Sequence, residues 1–195
     1  MHLYDTMKNI AVFASGRGSN AQHIINNFRD SKKAAVRVIV TNNPRAGVVH
    51  IAATEEIDLM IINKNKFEQD GYITALTELH IDLIVLAGFL WKIPPALVMA
   101  YPDKIINLHP ALLPEYGGKG MYGKAVHDAV LAAGDKKSGI TIHYVDDQYD
   151  HGKIIFQASC EVGQGETAET LAEKVHRLEH KHYPKVIEKI LAFEK

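Results

Sequence analysis

Asn9-Ile10-Ala11-Val12-Phe13-Ala14-Ser15-Gly16-Arg17-Gly18-Ser19-Asn20 is the stretch on which the fold turns. Its apolar run has no polar alternation, as in a strand buried on both faces. Glycine and serine then break the run, and the apolar spacing beyond predicts a helix from about 21 to 28. Moving outward, a β-branched strand over 36–41 is closed by Asn42-Asn43-Pro44-Arg45-Ala46-Gly47. A helix over about 48–56, a strand over 59–62, a helix over about 69–79 and a strand over 81–87 follow. Pro94 suits the first position of a short helix reaching about 100. Strands of this kind alternating with helices indicate an α/β fold, a mostly parallel open sheet covered by helices on both faces.

Ile105-Ile106-Asn107-Leu108-His109-Pro110 continues the series and carries the first candidate chemistry. Asn107 and His109 are two apart, so an extended backbone points both to one side. Pro110 donates no hydrogen bond, so the strand ends there. An amide can donate to a developing oxyanion, and an imidazole can move a proton near neutral pH. The last third changes character. After a loop holding Gly117, Gly118, Gly120 and Gly123, a helix over about 125–133 precedes strands over 139–145 and 153–160. Only seven residues separate those strands, too few for a crossover, so they pair antiparallel. Thr167 can cap a long final helix with Leu171, Val175 and Leu178 on one stripe.

The totals narrow the classes of function. The chain has 195 residues, with 47% hydrophobic and 23% charged, which suits one globular domain with a sizeable core. A formal net charge of −1 gives no field that would draw nucleic acid or a membrane surface, so anion binding must be local. Cys160 is the only cysteine, which excludes an intrachain disulfide and fits a reducing cytoplasm. No stretch approaches the roughly 20 apolar residues of a spanning helix. Residues 1–7 lack the basic flank and apolar core of a signal peptide and read as a short disordered lead.

Three further segments need weighing. Gly16-Arg17-Gly18-Ser19-Asn20-Ala21 formally matches the dinucleotide fingerprint, but the acidic residue it requires is replaced by Thr41 and Asn42 at the end of the second strand. A simple phosphate ester on the helix N-terminus remains. Asp146-Asp147-Gln148-Tyr149-Asp150-His151-Gly152 lacks the glutamate of a calcium loop. Asp150, beside the Gly152 turn, is the carboxylate best placed to orient His109. His176-Arg177-Leu178-Glu179-His180 matches an inverted zinc-protease motif, yet the candidates for a third ligand, Glu188 and Glu194, share the same helix and cannot close around a metal. His143 reads as a hydrogen-bonded core histidine.

Taken in order, these segments resemble the folate-dependent phosphoribosylglycinamide formyltransferases of purine biosynthesis. The residues that carry the likeness are Ser15-Gly16-Arg17-Gly18-Ser19-Asn20, Leu86-Ala87-Gly88-Phe89, Asn107-Leu108-His109-Pro110-Ala111-Leu112-Leu113-Pro114, Gly139-Ile140-Thr141-Ile142-His143-Tyr144-Val145, Asp150-x-Gly152 and Glu179-His180. The resemblance implies a Rossmann-like formyltransferase fold in a single domain over 1–195, whose N-terminal half, about 8–100, is a mononucleotide-binding unit. It implies Asn107, His109 and Asp150 as catalytic residues, with His109 protonated and Asn107 N–H free to stabilise the oxyanion. Gly18, Ser19 and Asn20 would hold the phosphate of glycinamide ribonucleotide, and Glu179 its ribose. The cosubstrate 10-formyltetrahydrofolate would lie against Leu90, Trp91, Lys92 and Ile93 and against the loop of Asp146, Asp147 and Asp150.

The resemblance implies no metal, and it names small molecules as partners, with a homodimer among the assemblies it allows. Trp91-Lys92 stands where many members carry a smaller apolar residue and an arginine. The loop over 117–123 is longer and richer in glycine than in the shortest members and is expected to cover the substrate. Lys64 or Lys66 is a candidate second contact to the phosphate. A formyl-folate hydrolase, whose usual extra domain precedes this one, a transfer-RNA formyltransferase, whose extra domain follows, and a non-catalytic folate- or nucleotide-binding module are the alternatives.

Overall fold

The computed structural model describes residues 7–67 and 71–193. Its strands are β1 (Lys8–Phe13), β2 (Ala34–Thr41), β3 (Asp58–Ile61), β4 (Ile81–Leu86), β5 (Ile105–His109), β6 (Lys137–Tyr144) and β7 (Ile154–Glu161). Among the described residues they form one seven-stranded sheet in the order β3-β2-β1-β4-β5-β6-β7. β1 to β5 run parallel, whereas β6 is antiparallel to both β5 and β7. The helices are α1 (Ser19–Phe28), α2 (Gly47–Thr54), α3 (Lys64–Phe67), α4 (Gly71–Glu78), α5 (Pro95–Ala100), α6 (Lys124–Ala133) and α7 (Ala168–Phe193).

The unalternating apolar strands are explained by two cores, one on each face. Ile10 and Val12 of β1 pack with Ile24 of α1, Ala52 of α2, Val130 of α6 and Val175 of α7. Ala11 and Phe13 pack on the other face with Tyr72 and Leu76 of α4 and Leu97 of α5. The chain reverses its winding between β1 and β4, which opens a crevice at their C-terminal ends, where folds of this kind bind ligands.

β5 repeats the alternation with a difference that matters for function. Ile106 and Leu108 point into the α7-side core, so Asn107 and His109 face the opposite side. Tyr183 of α7 donates its hydroxyl to the carbonyls of Leu86 at 2.9 Å and Ile106 at 3.3 Å, fastening the final helix beneath the ends of β4 and β5.

Several element ends differ from the sequence reading for local reasons. α1 starts at Ser19 rather than about 21, because Gly18 supplies a left-handed N-cap with φ 83°. Pro94 is the extended N-cap of α5, and Pro95 takes its first helical position. β6 starts at Lys137 and contains Gly139, where a Cβ would meet the Ala158 carbonyl oxygen at 2.1 Å, so this glycine marks a close cross-strand approach and not a strand end. β2 begins at Ala34, β3 covers Asp58–Ile61 and β7 covers Ile154–Glu161, each within a residue or two of expectation. The expected helix start near Gln69 and residues 1–6 of the expected lead lie outside the described residues. Thr167 caps α7 as expected, its Oγ1 accepting from Thr170 N at 3.3 Å.

α1 and α7 also meet through stacked imidazoles, His23 over His180, with ring centroids 3.8 Å apart. Burial and the charges of His23 and His176 push the His180 pKa from the ordinary 6.5 down to about 4. An unfolded chain therefore binds a proton between these values that the folded chain refuses, so this contribution to stability is complete above about pH 6.5 and is lost as pH falls toward about 4. The melting temperature should fall through that window, and His180→Phe, which keeps a stacking ring without the titration, should flatten the decline. A variant with the wild-type pH slope would remove His180 as a source of it.

Candidate active site

A cleft of about 600 Å³ collects most of the candidate residues. Its floor is formed by Asn107, Leu108 and His109 of β5 and His143 of β6, and one end is the N-terminus of α1. At that end Gly18 packs so tightly that a Cβ would lie 2.8 Å from Ile51 Cδ1. The first intrahelical bond of α1 is Gln22 N to Gly18 O at 2.9 Å, so the N–H groups of Ser19, Asn20 and Ala21 have no carbonyl within the helix. Such a cluster of donors at the positive end of a helix suits an anion. Ser15 supports the next wall, its Oγ accepting from Leu90 N at 3.0 Å.

Two of the expected substrate residues are joined to each other. Asn20 Nδ2 donates to Glu179 Oε2 at 2.8 Å, which commits the side-chain amide that had been expected to face phosphate. Burial raises the Glu179 carboxyl above the usual carboxylate range, and the Asn20 bond opposes that shift. Glu179 is therefore tied to α1, and His180 to His23, which breaks up the zinc-like motif. Among the described residues, no group of three or more His, Cys, Asp or Glu is arranged to hold a metal ion.

Asn107, His109 and Asp150 meet at the floor. Asp150 Oδ1 lies 3.3 Å from Asn107 Nδ2, and Oδ2 lies 3.5 Å from His109 Nδ1 and 3.0 Å from Gly118 N. The carboxylate can only accept, so Asn107 must present its NH2 here. Its second amide hydrogen goes to His143 Nε2 at 3.1 Å. His143 in turn donates from Nδ1 to the Tyr144 carbonyl at 2.8 Å. Both amide hydrogens of Asn107 are thus engaged, contrary to the free oxyanion donor that the sequence suggested.

His143, a hydrogen-bonded core histidine in the sequence reading and part of one motif of the resemblance, is buried and hydrogen-bonded in the structure. The pairing of β5 with β6 sets it directly opposite Asn107 and so within the site. The sequence signal was present in Gly139-Ile140-Thr141-Ile142-His143, where the apolar residues at 140 and 142 give the parity. What was missing was the register against β5.

The protonation states also differ from expectation. Burial lowers the His109 pKa, and although Asp150 and the Tyr116 carbonyl oppose this, the net shift is downward. Burial alone would raise the Asp150 carboxyl, but the neighbouring rings of His143 and His109 and the Gly118 amide outweigh it and hold it below the usual range. The pair is consequently a carboxylate beside a neutral imidazole. Asp150 favours imidazolium, as its charge requires, yet burial is the larger effect.

The remaining wall is mixed. Leu90, Trp91, Lys92 and Ile93 line one side of the cleft, and Asp146, Gln148, Tyr149 and Asp150 the other. Trp91 leans on Phe67 at 5.6 Å between centroids, and Lys92 Nζ lies 6.0 Å from the Tyr149 ring centre, the two walls approaching one another there. Asp146 is engaged within its own loop by Gln148 N and His151. Asp147 is exposed and does not line the cleft. Lys64 is exposed and outside the lining, and the side chain of Lys66 lies outside the described residues. His127 and His176, which the sequence reading left without a role, line the cleft toward Glu179. His127 is buried, and its Nδ1 has no hydrogen-bond partner.

The formyl transferase family model matches residues 8–187. The chain belongs to the formyl transferase family. It is 42% identical over 187 residues to the chloroplastic phosphoribosylglycinamide formyltransferase of Arabidopsis thaliana, covering 92% of this chain and 64% of that longer protein. With the phosphoribosylglycinamide formyltransferase of Bacillus subtilis the identity is 40% over 192 residues, covering 95% of each. The crystal structure of glycinamide ribonucleotide transformylase 1 from Symbiobacterium toebii superposes with a TM-score of 0.88 at 28% identity, over 98% of this chain and 92% of that one. The resemblance drawn from the motifs and the Rossmann-like fold are borne out. Among the described residues no helix is long and apolar enough to cross a membrane.

The His109 titration gives a direct check on the electrostatics of this site. In the free protein its Cε1–H resonance should titrate below the ordinary 6.5. Asp150→Asn should lower the midpoint further, because the carboxylate charge is what raises it. A midpoint above 6.5 in the free protein would show that the ion pair, and not burial, governs the site.

Proposed function

We propose that this chain transfers the formyl group of 10-formyltetrahydrofolate to the amine of glycinamide ribonucleotide, in de novo purine biosynthesis. The observation that carries the reading is the meeting of Asp150 with Asn107 and His109 on the floor of a cleft that has a helix N-terminus at one end. A cleft that holds proton-handling groups and an anion site suits a substrate with a phosphate at one end and an amine at the other. The proposal takes residues 1–195 as a single formyltransferase domain working in the cytoplasm on small molecules, without a metal.

The substrate phosphate lies on the N–H groups of Ser19 and Asn20 beside Gly18, with His127 and His176 facing it from α6 and α7. Glu179 holds the ribose. The folate lies between Leu90, Trp91, Lys92 and Ile93 and the loop holding Asp146 and Asp150. The neutral amine attacks the formyl carbon, forming a C–N bond while the C=O electron pair moves to oxygen. The new ammonium loses its proton to the Asp150–His109 pair, which has room for one between Oδ2 and Nδ1. His109 becomes imidazolium as the adjacent oxyanion forms, and Asn107 turns an N–H toward that oxygen. The tetrahedral carbon then expels the folate nitrogen, which takes the same proton. Free folate and the formylated nucleotide result, and the pair returns to its starting state.

Purified protein in chelator, given 10-formyltetrahydrofolate, should release tetrahydrofolate only when glycinamide ribonucleotide is present. Release in water alone would indicate a hydrolase, and no release with folate bound would indicate a binding module. Asp150→Asn should lower kcat by at least about 100-fold with KM values changed little, the pattern expected when a proton-transfer group is lost. A raised KM with normal kcat would remove Asp150 from the chemistry. Amide exchange over residues 119–123 should slow when both substrates bind, because Lys119, Met121 and Tyr122 line the cleft; unchanged exchange would argue against a covering loop.

A further inference from the structure

Residues 116–118 touch both members of the proton pair. The Tyr116 carbonyl accepts from His109 Nε2 at 2.7 Å, and Gly118 N donates to Asp150 Oδ2 at 3.0 Å. A carbonyl has lone pairs only, so His109 Nε2 must carry a hydrogen. In the neutral ring this leaves Nδ1 as the basic nitrogen, turned toward Asp150 at 3.5 Å. Which nitrogen of His109 exchanges a proton is therefore decided by a backbone oxygen seven residues further along the chain.

The turn that supplies this oxygen is held in an unfavourable form. Tyr116 has φ 56°, the left-handed region that a bulky side chain rarely enters, and Gly118 has φ 102°. A Cβ on Gly117 would lie 2.7 Å from Leu113 Cδ2 and 3.3 Å from Asp150 Cβ. The far end of the Tyr116 side chain is anchored, its hydroxyl donating to Asp135 Oδ2 at 2.6 Å. Asp135 lies in the short connection between α6 and β6, so the anchor is fixed to the scaffold, outside the cleft lining. The Tyr116 ring packs against the α7-side core.

We infer that residues 116–118, pinned through the Tyr116 hydroxyl to Asp135, form a clasp that sets the tautomer of His109 and its orientation to Asp150. Tyr116 and Asp135 are positioning residues: they act through His109 and Asp150 and reach no reacting atom. The titratable groups facing His109 are Asp150, from the β6–β7 connection, and His143, from β6. The catalytic consequence rests on the proposed formyl transfer, whereas the tautomer does not. Loss of the anchor frees the Tyr116 carbonyl to leave Nε2, so the proton redistributes between the ring nitrogens. Because the Tyr116 bond helps raise the His109 pKa, its loss lowers that pKa further.

The test uses the full chain labelled with 15N and read by long-range 1H–15N correlation of the His109 ring without substrate. Wild type should show a hydrogen on Nε2. Tyr116→Phe and Asp135→Ala should show a mixture of tautomers, and Asp135→Asn, whose Oδ1 still accepts, should restore the wild-type pattern. In the transfer assay the first two should lose about tenfold in kcat, with KM values within about twofold and the acid limb of the kcat profile moved to lower pH. Unchanged tautomer and acid limb in Tyr116→Phe and Asp135→Ala would overturn the clasp, even where melting temperature falls, because the bond would then serve stability alone. A wild-type ring with hydrogen on Nδ1 would overturn it at once. A ring with hydrogen on Nε2, lost in Tyr116→Phe, in a protein that transfers no formyl group supports the clasp while removing the proposed reaction.

Discussion

A carboxylate held nine-tenths out of water is the constraint on which the site depends. The Asp150 side chain is only 10% exposed, and a buried charge without donors costs several kcal/mol. Its donors come from separate parts of the chain, Asn107 from β5 and Gly118 from the loop beyond it. Asp150 itself adopts φ 54°, an unfavourable backbone for a residue that is not glycine. Each donor alone is a modest interaction. Together they keep the group ionised despite burial, which none could do separately.

The sheet topology makes that convergence geometrically available. In the parallel half, β1 and β4 are buried almost throughout, packed on both sides by helices. Past α5, Asn107, His109 and His143 share a face on which the connection between β6 and β7 lies. The antiparallel return of β6 also sets Thr141 opposite His109. Thr141 Oγ1 donates to the Ala111 carbonyl at 2.7 Å and accepts from Leu113 N at 2.9 Å, which steadies the turn after Pro110. The polar groups of this face are satisfied by one another, so the floor is preorganised before any ligand arrives.

What could be read from residues alone follows from the range of the forces involved. The run from Ile10 to Ala14, the glycines before Ser19 and the Asn107-x-His109 spacing are local signals, so the fold and the trio were legible. Asp150 could be chosen only because His109 needed a carboxylate. The place of His143 beside Asn107 was not legible, because its partner across the sheet depends on register, which no spacing within 139–145 encodes. Asn20 and Glu179 are 159 positions apart, and their bond follows from α7 lying against α1. The Tyr116 carbonyl was invisible for a plainer reason: every residue has one, and only a left-handed backbone aims this one at an imidazole.

The charge state of His109 decides the sense of the pair. A carboxylate next to an imidazolium is already neutralised and has little affinity for another proton. A carboxylate next to a neutral imidazole has a vacant place, and the lone pair on Nδ1 faces a negative oxygen at 3.5 Å. That contact is unfavourable until a proton enters it, and favourable afterwards. Burial, which at first sight only weakens His109 as a base, thereby stores a preference that an incoming amine can satisfy. The Tyr116 carbonyl makes the preference directional, because with Nε2 already engaged the proton has one nitrogen left to occupy. In that sense the low dielectric of the floor and the strained turn beside it act on the same atom: one empties Nδ1, and the other ensures that Nδ1 is where the proton must go.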